Sequence, residues 1–211
     1  MNKLEKNIAE RLLKIKAVKL QPNNPFTWAS GWKSPIYCDN RKTLSYPAIR
    51  TYIKNSLIHT ILEQYPDVEV IAGVATGAIA QGALIADELG LPFIYVRSSP
   101  KDHGLENLIE GDLRPKQKVV VVEDLISTGG SSLKAVEAIR KDGSEVLGMV
   151  AIFTYGFQAA EEKFTNAGVK LSVLSNYEAV LAEALANKNI SNEELETLKE
   201  WRKNPSEWRK E

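Results

Sequence analysis

Two adjacent carboxylates, Glu123 and Asp124, follow four consecutive valines, Val119 to Val122. After them come Leu125, Ile126 and a run of small residues, Ser127-Thr128-Gly129-Gly130-Ser131. The continuous apolar run has the pattern of a strand covered on both faces. Small residues beyond it leave backbone N–H groups unhindered, and a helix starting near Ser131 adds the positive end of its dipole, so the turn suits a phosphate. Two acids beside an anion site repel the anion unless something lies between them. A ribose with neighbouring hydroxyls, or a hard cation such as Mg²⁺, satisfies both sides. A strand ending in solvated acids explains each part singly, but not the whole in this register. The run is not a Walker A loop, because no Gly-Lys-Ser/Thr follows the glycines, and Gly73, Gly77 and Gly82 miss the dinucleotide spacing.

A second set of groups suited to anions lies upstream. Arg97 is followed by Lys101-Asp102-His103-Gly104 inside a segment from Ser98 to Lys116 that is rich in Pro, Gly, Asp and Lys. No secondary structure is forced on that segment, and a loop of such length in a compact domain is either disordered or functional. Taken singly, Arg97 is a strand end, Lys101 an exposed lysine and His103 a solvated histidine. Taken with the phosphate turn they form a cationic set for an anionic leaving group. His59, the other histidine, falls within a helical pattern and reads as structural. Gly73-Val74-Ala75-Thr76-Gly77 places two glycines at a strand end, which suits either close approach of backbone to a ligand or helix–strand packing. Phe26 and Trp28 read as core aromatics, whereas Tyr37 suits a core position and a ligand contact about equally.

These groups need elements to position them. Leu4, Ile8, Leu12 and Ile15 repeat at helical spacing, giving an amphipathic first helix. Residues 20–47 hold four of the nine prolines and two of the four tryptophans, and predict turns and short strands. A helix follows over Pro47 to Gln64, with proline at its first turn. Strands are predicted at Val68–Ala75, Leu91–Arg97, Lys118–Asp124, Glu145–Thr154 and Val169–Leu174. Helices are predicted at Ala78–Leu89, Leu133–Lys141 and near Ala159–Asn166. This alternation implies an α/β fold with a parallel sheet flanked by helices. Two further helices, Tyr177–Asn187 and Ser191–Lys203, fall in a polar C-terminal tail. The expected organisation is a single domain: an N-terminal helix and hood over 1–47, an α/β core over 48–175, and C-terminal helices over 176–211.

Composition narrows the classes. The 211 residues carry 27 basic and 27 acidic side chains, and this balance argues against a nucleic-acid binder. One cysteine, Cys38, excludes an internal disulfide and points to a reducing compartment, hence a cytoplasmic protein. The first nineteen residues have no uninterrupted apolar stretch, so neither a signal peptide nor a membrane anchor is expected.

The segment from Val119 to Ser131 resembles the signature of the type I phosphoribosyltransferases. The resemblance implies that Glu123 and Asp124 hold the ribose hydroxyls of 5-phosphoribosyl-1-diphosphate (PRPP), that Ser127, Thr128, Gly129, Gly130 and Ser131 bind its 5-phosphate, and that Leu125 and Ile126 belong to the same PRPP-binding segment. Three stretches are similar to the orotate phosphoribosyltransferase family in particular. Phe26-Thr27-Trp28-Ala29-Ser30-Gly31 with Ser34-Pro35-Ile36-Tyr37 resembles its N-terminal hood, and Gly73 to Gly77 its diphosphate loop. Arg97 with Lys101-Asp102-His103-Gly104 resembles its catalytic loop. The likeness implies PRPP contacts from Thr76, Gly77, Arg97, Lys101 and His103, with Lys101, Asp102 and His103 catalytic. It further implies orotate contacts from Ser127 and Tyr37, Mg²⁺ held mainly by the substrate rather than by the protein, and a homodimer with shared active sites. The sequence departs from the best-known bacterial pattern at Ala29 (a lysine there), at Thr76-Gly77 (a Tyr-Lys pair) and at Tyr155 (an arginine). Two alternatives remain: a purine-salvage phosphoribosyltransferase, against which the hood weighs, and a non-catalytic PRPP-binding regulator, against which the neutral charge and single leading helix weigh.

Overall fold

The computed structural model describes residues 1–28, 30–99 and 108–209. The chain divides into two compact units, residues 1–43 with 175–211, and residues 44–174.

The first unit is built on helices at both ends of the chain. Helix α1 (Lys3–Lys14) opens with a reciprocal capping box between Asn2 and Glu5, and buries Ile8, Ala9 and Leu12. Strands β1 (Val18–Leu20), β2 (Phe26–Thr27), β3 (Lys33–Ser34) and β4 (Ile36–Cys38) form two small antiparallel pairs, β1 with β4 and β2 with β3. A 3-10 turn spans Asn40–Ser45. The polar C-terminal stretch is not a loose appendage. Trp201 is fully buried, donates its indole N–H to the Lys33 carbonyl at 3.2 Å, and stands edge-on to Trp28 with ring centres 5.6 Å apart.

The second unit begins with α2 (Pro47–Gln64) and contains β5 (Val70–Val74), α3 (Ile79–Leu89), β6 (Phe93–Val96), β7 (Ile109–Glu110), β8 (Lys118–Ile126), α4 (Gly130–Lys141), β9 (Glu145–Thr154), α5 (Gln158–Asn166) and the start of β10 (Leu171–Asn176). Helices α6 (Tyr177–Ala186) and α7 (Asn192–Lys203) then return the chain to the first unit. The sheet order is β10-β9-β8-β5-β6-β7. Neighbours β5, β6, β8 and β9 pair in parallel, as the alternation of strands and helices requires. Their apolar side chains, among them Val70, Ala72, Val119, Val121, Met149 and Ala151, form a core together with Val136, Ile139 and Phe164.

Two expectations need correction. The stretch from Ser98 to Lys116 is not without secondary structure throughout: Ile109–Glu110 pairs antiparallel with β6, so the sheet is mixed at that edge. Strand β8 also does not stop at Asp124 but runs on to Ile126, because Leu125 and Ile126 continue the ladder opposite Phe153 and Thr154.

Candidate active site

The parallel register brings several loops to one end of the sheet. Gly73 lies opposite Val122, Val74 opposite Val96, and Ile126 opposite Thr154. The segments following β5, β6, β8 and β9 therefore emerge side by side at the carboxyl ends of the strands, where open α/β sheets bind ligands.

After β8 the chain makes a left-handed turn at Gly129 (φ 75°) and enters α4. Glycine is required there twice over. The backbone angle disfavours other residues, and an added Cβ would stand 3.0 Å from the Phe164 ring. The α4 N-terminus has no side-chain cap and no acid in its first turn. Its amides and its dipole are thus left to act on an anion. Ile126 is buried, so within the turn segment it has backbone rather than side chain to offer.

The two acids take different roles. Glu123 is 5% exposed: one carboxyl oxygen accepts from the Asp124 N–H at 3.0 Å, the other from the Ser132 hydroxyl at 2.8 Å. Burial, and secondly the charge of Asp124, push the Glu123 carboxyl up to about 8, while the Ser132 hydrogen bond pulls it down. The raised Glu123 carboxyl lowers the negative charge that the pair presents, which relieves the repulsion expected of paired acids beside an anion site. Asp124 is only half-buried, and its carboxylate lies against the Cα of Gly77: a Cβ built on Gly77 would overlap all three carboxylate atoms. The loop after β5 and the acid of β8 thus meet directly.

The glycines near β5 separate into two kinds. Gly73 and Gly82 face each other and Phe93, so they serve close packing of α3 on the sheet, whereas Gly77 faces Asp124. Thr76 is exposed, and the Ala75–Thr76 peptide is cis. Arg97 follows β6, with its guanidinium 3.5 Å from Glu110 on β7. Tyr155, where the bacterial pattern has arginine, is 2% exposed and stacks on Phe157 with ring centres 5.5 Å apart. It occupies core. Ser127 and Thr128 are half-buried in the turn. In the other unit Tyr37 is 39% exposed on β4, 5.6 Å from the Phe26 ring, while Trp28 belongs to the cluster around Trp201. Ala29 and the predicted catalytic residues Lys101, Asp102 and His103 lie outside the described residues.

Residues 44–187 match the family described as "Phosphoribosyl transferase domain". The orotate phosphoribosyltransferase of Bacteroides thetaiotaomicron is 69% identical over 208 residues, covering 99% of this chain and 98% of that protein. The chain belongs to the orotate phosphoribosyltransferase family. The Porphyromonas gingivalis orotate phosphoribosyltransferase is 68% identical over 208 residues, 99% of each chain. The crystal structure of orotate phosphoribosyltransferase from Aeropyrum pernix is similar at TM-score 0.74 and 28% identity, covering 85% of this chain and 98% of that one.

Two residues around the site of this orotate phosphoribosyltransferase family member escaped the sequence reading. Ser132 holds Glu123 from the first turn of α4, and Lys163 on α5 donates to the Thr128 carbonyl at 3.1 Å, bracing the turn from outside. Ser132 follows directly on the recognised turn, so helical spacing was a usable signal. Nothing local in the sequence marks Lys163.

Proposed function

We propose that this family member converts orotate and PRPP to orotidine 5′-phosphate and diphosphate through the loops at the carboxyl end of its sheet. The observation that carries the reading is the meeting of the Asp124 carboxylate with Gly77 beside the uncapped start of α4. That arrangement supports a ribose held by Asp124, its 5-phosphate on Ser127 to Ser131 (with the Leu125–Ile126 backbone leading in), and its diphosphate against Thr76 and Gly77. Glu123 supports Asp124 and adds a second ribose contact once its proton is released. Ser127 and Tyr37 touch orotate, Tyr37 on the strength of the family resemblance alone. The same resemblance assigns Arg97, Lys101 and His103 to the leaving diphosphate, with Asp102 beside them, and treats the two units as one phosphoribosyltransferase domain.

Breaking the C1–O bond builds positive charge on the ribose and negative charge on the departing diphosphate. Catalysis is then chiefly electrostatic, with cationic side chains fixed where the negative charge develops and water excluded from the ribosyl cation. Among the described residues no group of three or more His, Cys, Asp or Glu side chains is placed to hold a metal, and Glu123 is engaged within the fold. The family resemblance implies Mg²⁺ held mainly by the oxygens of PRPP, where it would offset charge on the diphosphate.

The neutral overall charge supports small-molecule chemistry rather than nucleic-acid binding, and the single cysteine, Cys38, supports a reducing compartment such as the cytoplasm. A homodimer sharing its catalytic loops completes the proposal. The test is product analysis with PRPP and Mg²⁺: orotate is consumed, whereas adenine, guanine and hypoxanthine are not. Comparable turnover of a purine would overturn the orotate assignment.

A further inference from the structure

Gln81 lies in the first turn of α3 and is 2% exposed. Among the described residues, its Nε2 and Oε1 are the buried side-chain polar atoms without a hydrogen-bond partner. A carboxamide buried without partners is costly, and folded proteins keep few of them. Packing does not call for an amide here. Its buried neighbours along the helix, Gly82, Ile85 and Ala86, are apolar or lack a side chain. Leucine or methionine would fill similar space without that cost.

The position of Gln81 points to what it serves. A helical side chain leans back over the turn N-terminal to its own Cα, which sets Gln81 over Gly77 and Ala78. Gly77 is the residue against which the Asp124 carboxylate rests. Two unused hydrogen-bonding groups thus lie in the first turn of α3, directly after the β5–α3 loop whose Gly77 meets the acid of β8. We propose that Gln81 is a positioning residue for the diphosphate of PRPP: its amide pairs with the backbone of the Thr76–Gly77 loop in the ligand-bound state and holds the loop's N–H groups toward the anion. The inference rests on the reading of the diphosphate site given above. It explains why a group that weakens the unliganded fold is kept, because its hydrogen bonds form only when ligand is present.

The experiment compares wild type with Gln81→Met and Gln81→Leu, which keep the bulk and remove the amide. Thermal unfolding is followed without ligand, with inorganic diphosphate and Mg²⁺, and with ribose 5-phosphate, and the shifts are converted to affinities. Both variants should unfold at or above the wild-type temperature, since an unpaired buried amide has been removed. Affinity for diphosphate should fall about ten-fold, the size of one hydrogen bond to a charged ligand's cradle, with affinity for ribose 5-phosphate unchanged. In steady state KM for PRPP should rise while KM for orotate stays. Unchanged diphosphate affinity, or an equal loss for both ligands, overturns the proposal. So does lower unliganded stability in both variants, because it would mean that the amide is already paired. A wild-type chain that binds neither ligand removes the underlying reading, and the proposal with it.

Discussion

Gly77 and Gly82 stand on either side of the start of α3, and alanine at each should have opposite consequences. At Gly77 the added Cβ collides with the Asp124 carboxylate, the far end of a short side chain that can rotate away. The backbone angle of Gly77 is not in the left-handed region, so alanine is compatible with the local fold. Stability should then hold or rise by about 0.4–1 kcal/mol through the stiffer unfolded chain. On the proposed function, however, the displaced carboxylate loses its hydrogen bond to the ribose. A hydrogen bond to a charged group contributes about 1.5–3 kcal/mol, or roughly 10- to 150-fold in KM for PRPP. At Gly82 the Cβ would stand 2.7 Å from Phe93 Cε2 and 3.4 Å from the Gly73 Cα, inside the α3–sheet interface. Overpacking there should cost about 1–3 kcal/mol of stability with little change in KM. Denaturant unfolding and initial-rate kinetics on both variants decide the matter. Unaltered PRPP kinetics in Gly77→Ala, or equal kinetic damage from Gly82→Ala, would refute the division between packing and ligand glycines.

The Glu123 carboxyl, raised from 4.5 to about 8, binds a proton in the folded state that the unfolded chain releases above its ordinary value. Its contribution is therefore fully present below about 4.5, declines as pH rises, and is gone above about 8. That is a loss of at most about 5 kcal/mol across the window, read as the slope of unfolding free energy against pH; Glu123→Gln should flatten it, and an unchanged slope would contradict the buried, protonated acid. For the proposed dimer, inactive Lys101→Ala and Asp124→Ala chains, mixed after dissociation, should regain activity because each heterodimer holds one intact shared site. A mixture that stays inactive despite proven subunit exchange would place the loop in its own chain's site.

Helix α2 and strand β9 were legible in the sequence to the residue, one because Pro47 marks the first turn, the other because Glu145 to Thr154 is largely apolar. The turn after β8 and the helix it opens were legible because the glycines and the helical run that follow are local. Strand β8 read short because two acids look like an end; its last two residues are held by β9, a partner the sequence does not display. Ile109–Glu110 was invisible for a similar reason, being two residues amid Gly and Pro whose only strand signal is the pairing with β6. Trp201 sits among Lys, Glu and Arg, so hydropathy hid a fully buried side chain. In the site, the meeting of Gly77 with Asp124 depends on β5 lying beside β8, which is a matter of sheet order. Gln81 falls in a regular helical pattern, and only its unpaired burial distinguishes it.

The central claim is that Asp124, at the mouth of the uncapped α4 turn, holds the ribose of PRPP. Calorimetric titration of PRPP with Mg²⁺ into wild type and Asp124→Asn measures this without turnover. The amide keeps the size of the side chain but removes its charge, so Kd should rise roughly ten-fold or more while the thermal unfolding temperature stays within a few degrees. Near-equal affinities in two equally folded proteins would contradict the account and return Glu123 and Asp124 to ordinary acids near a strand end.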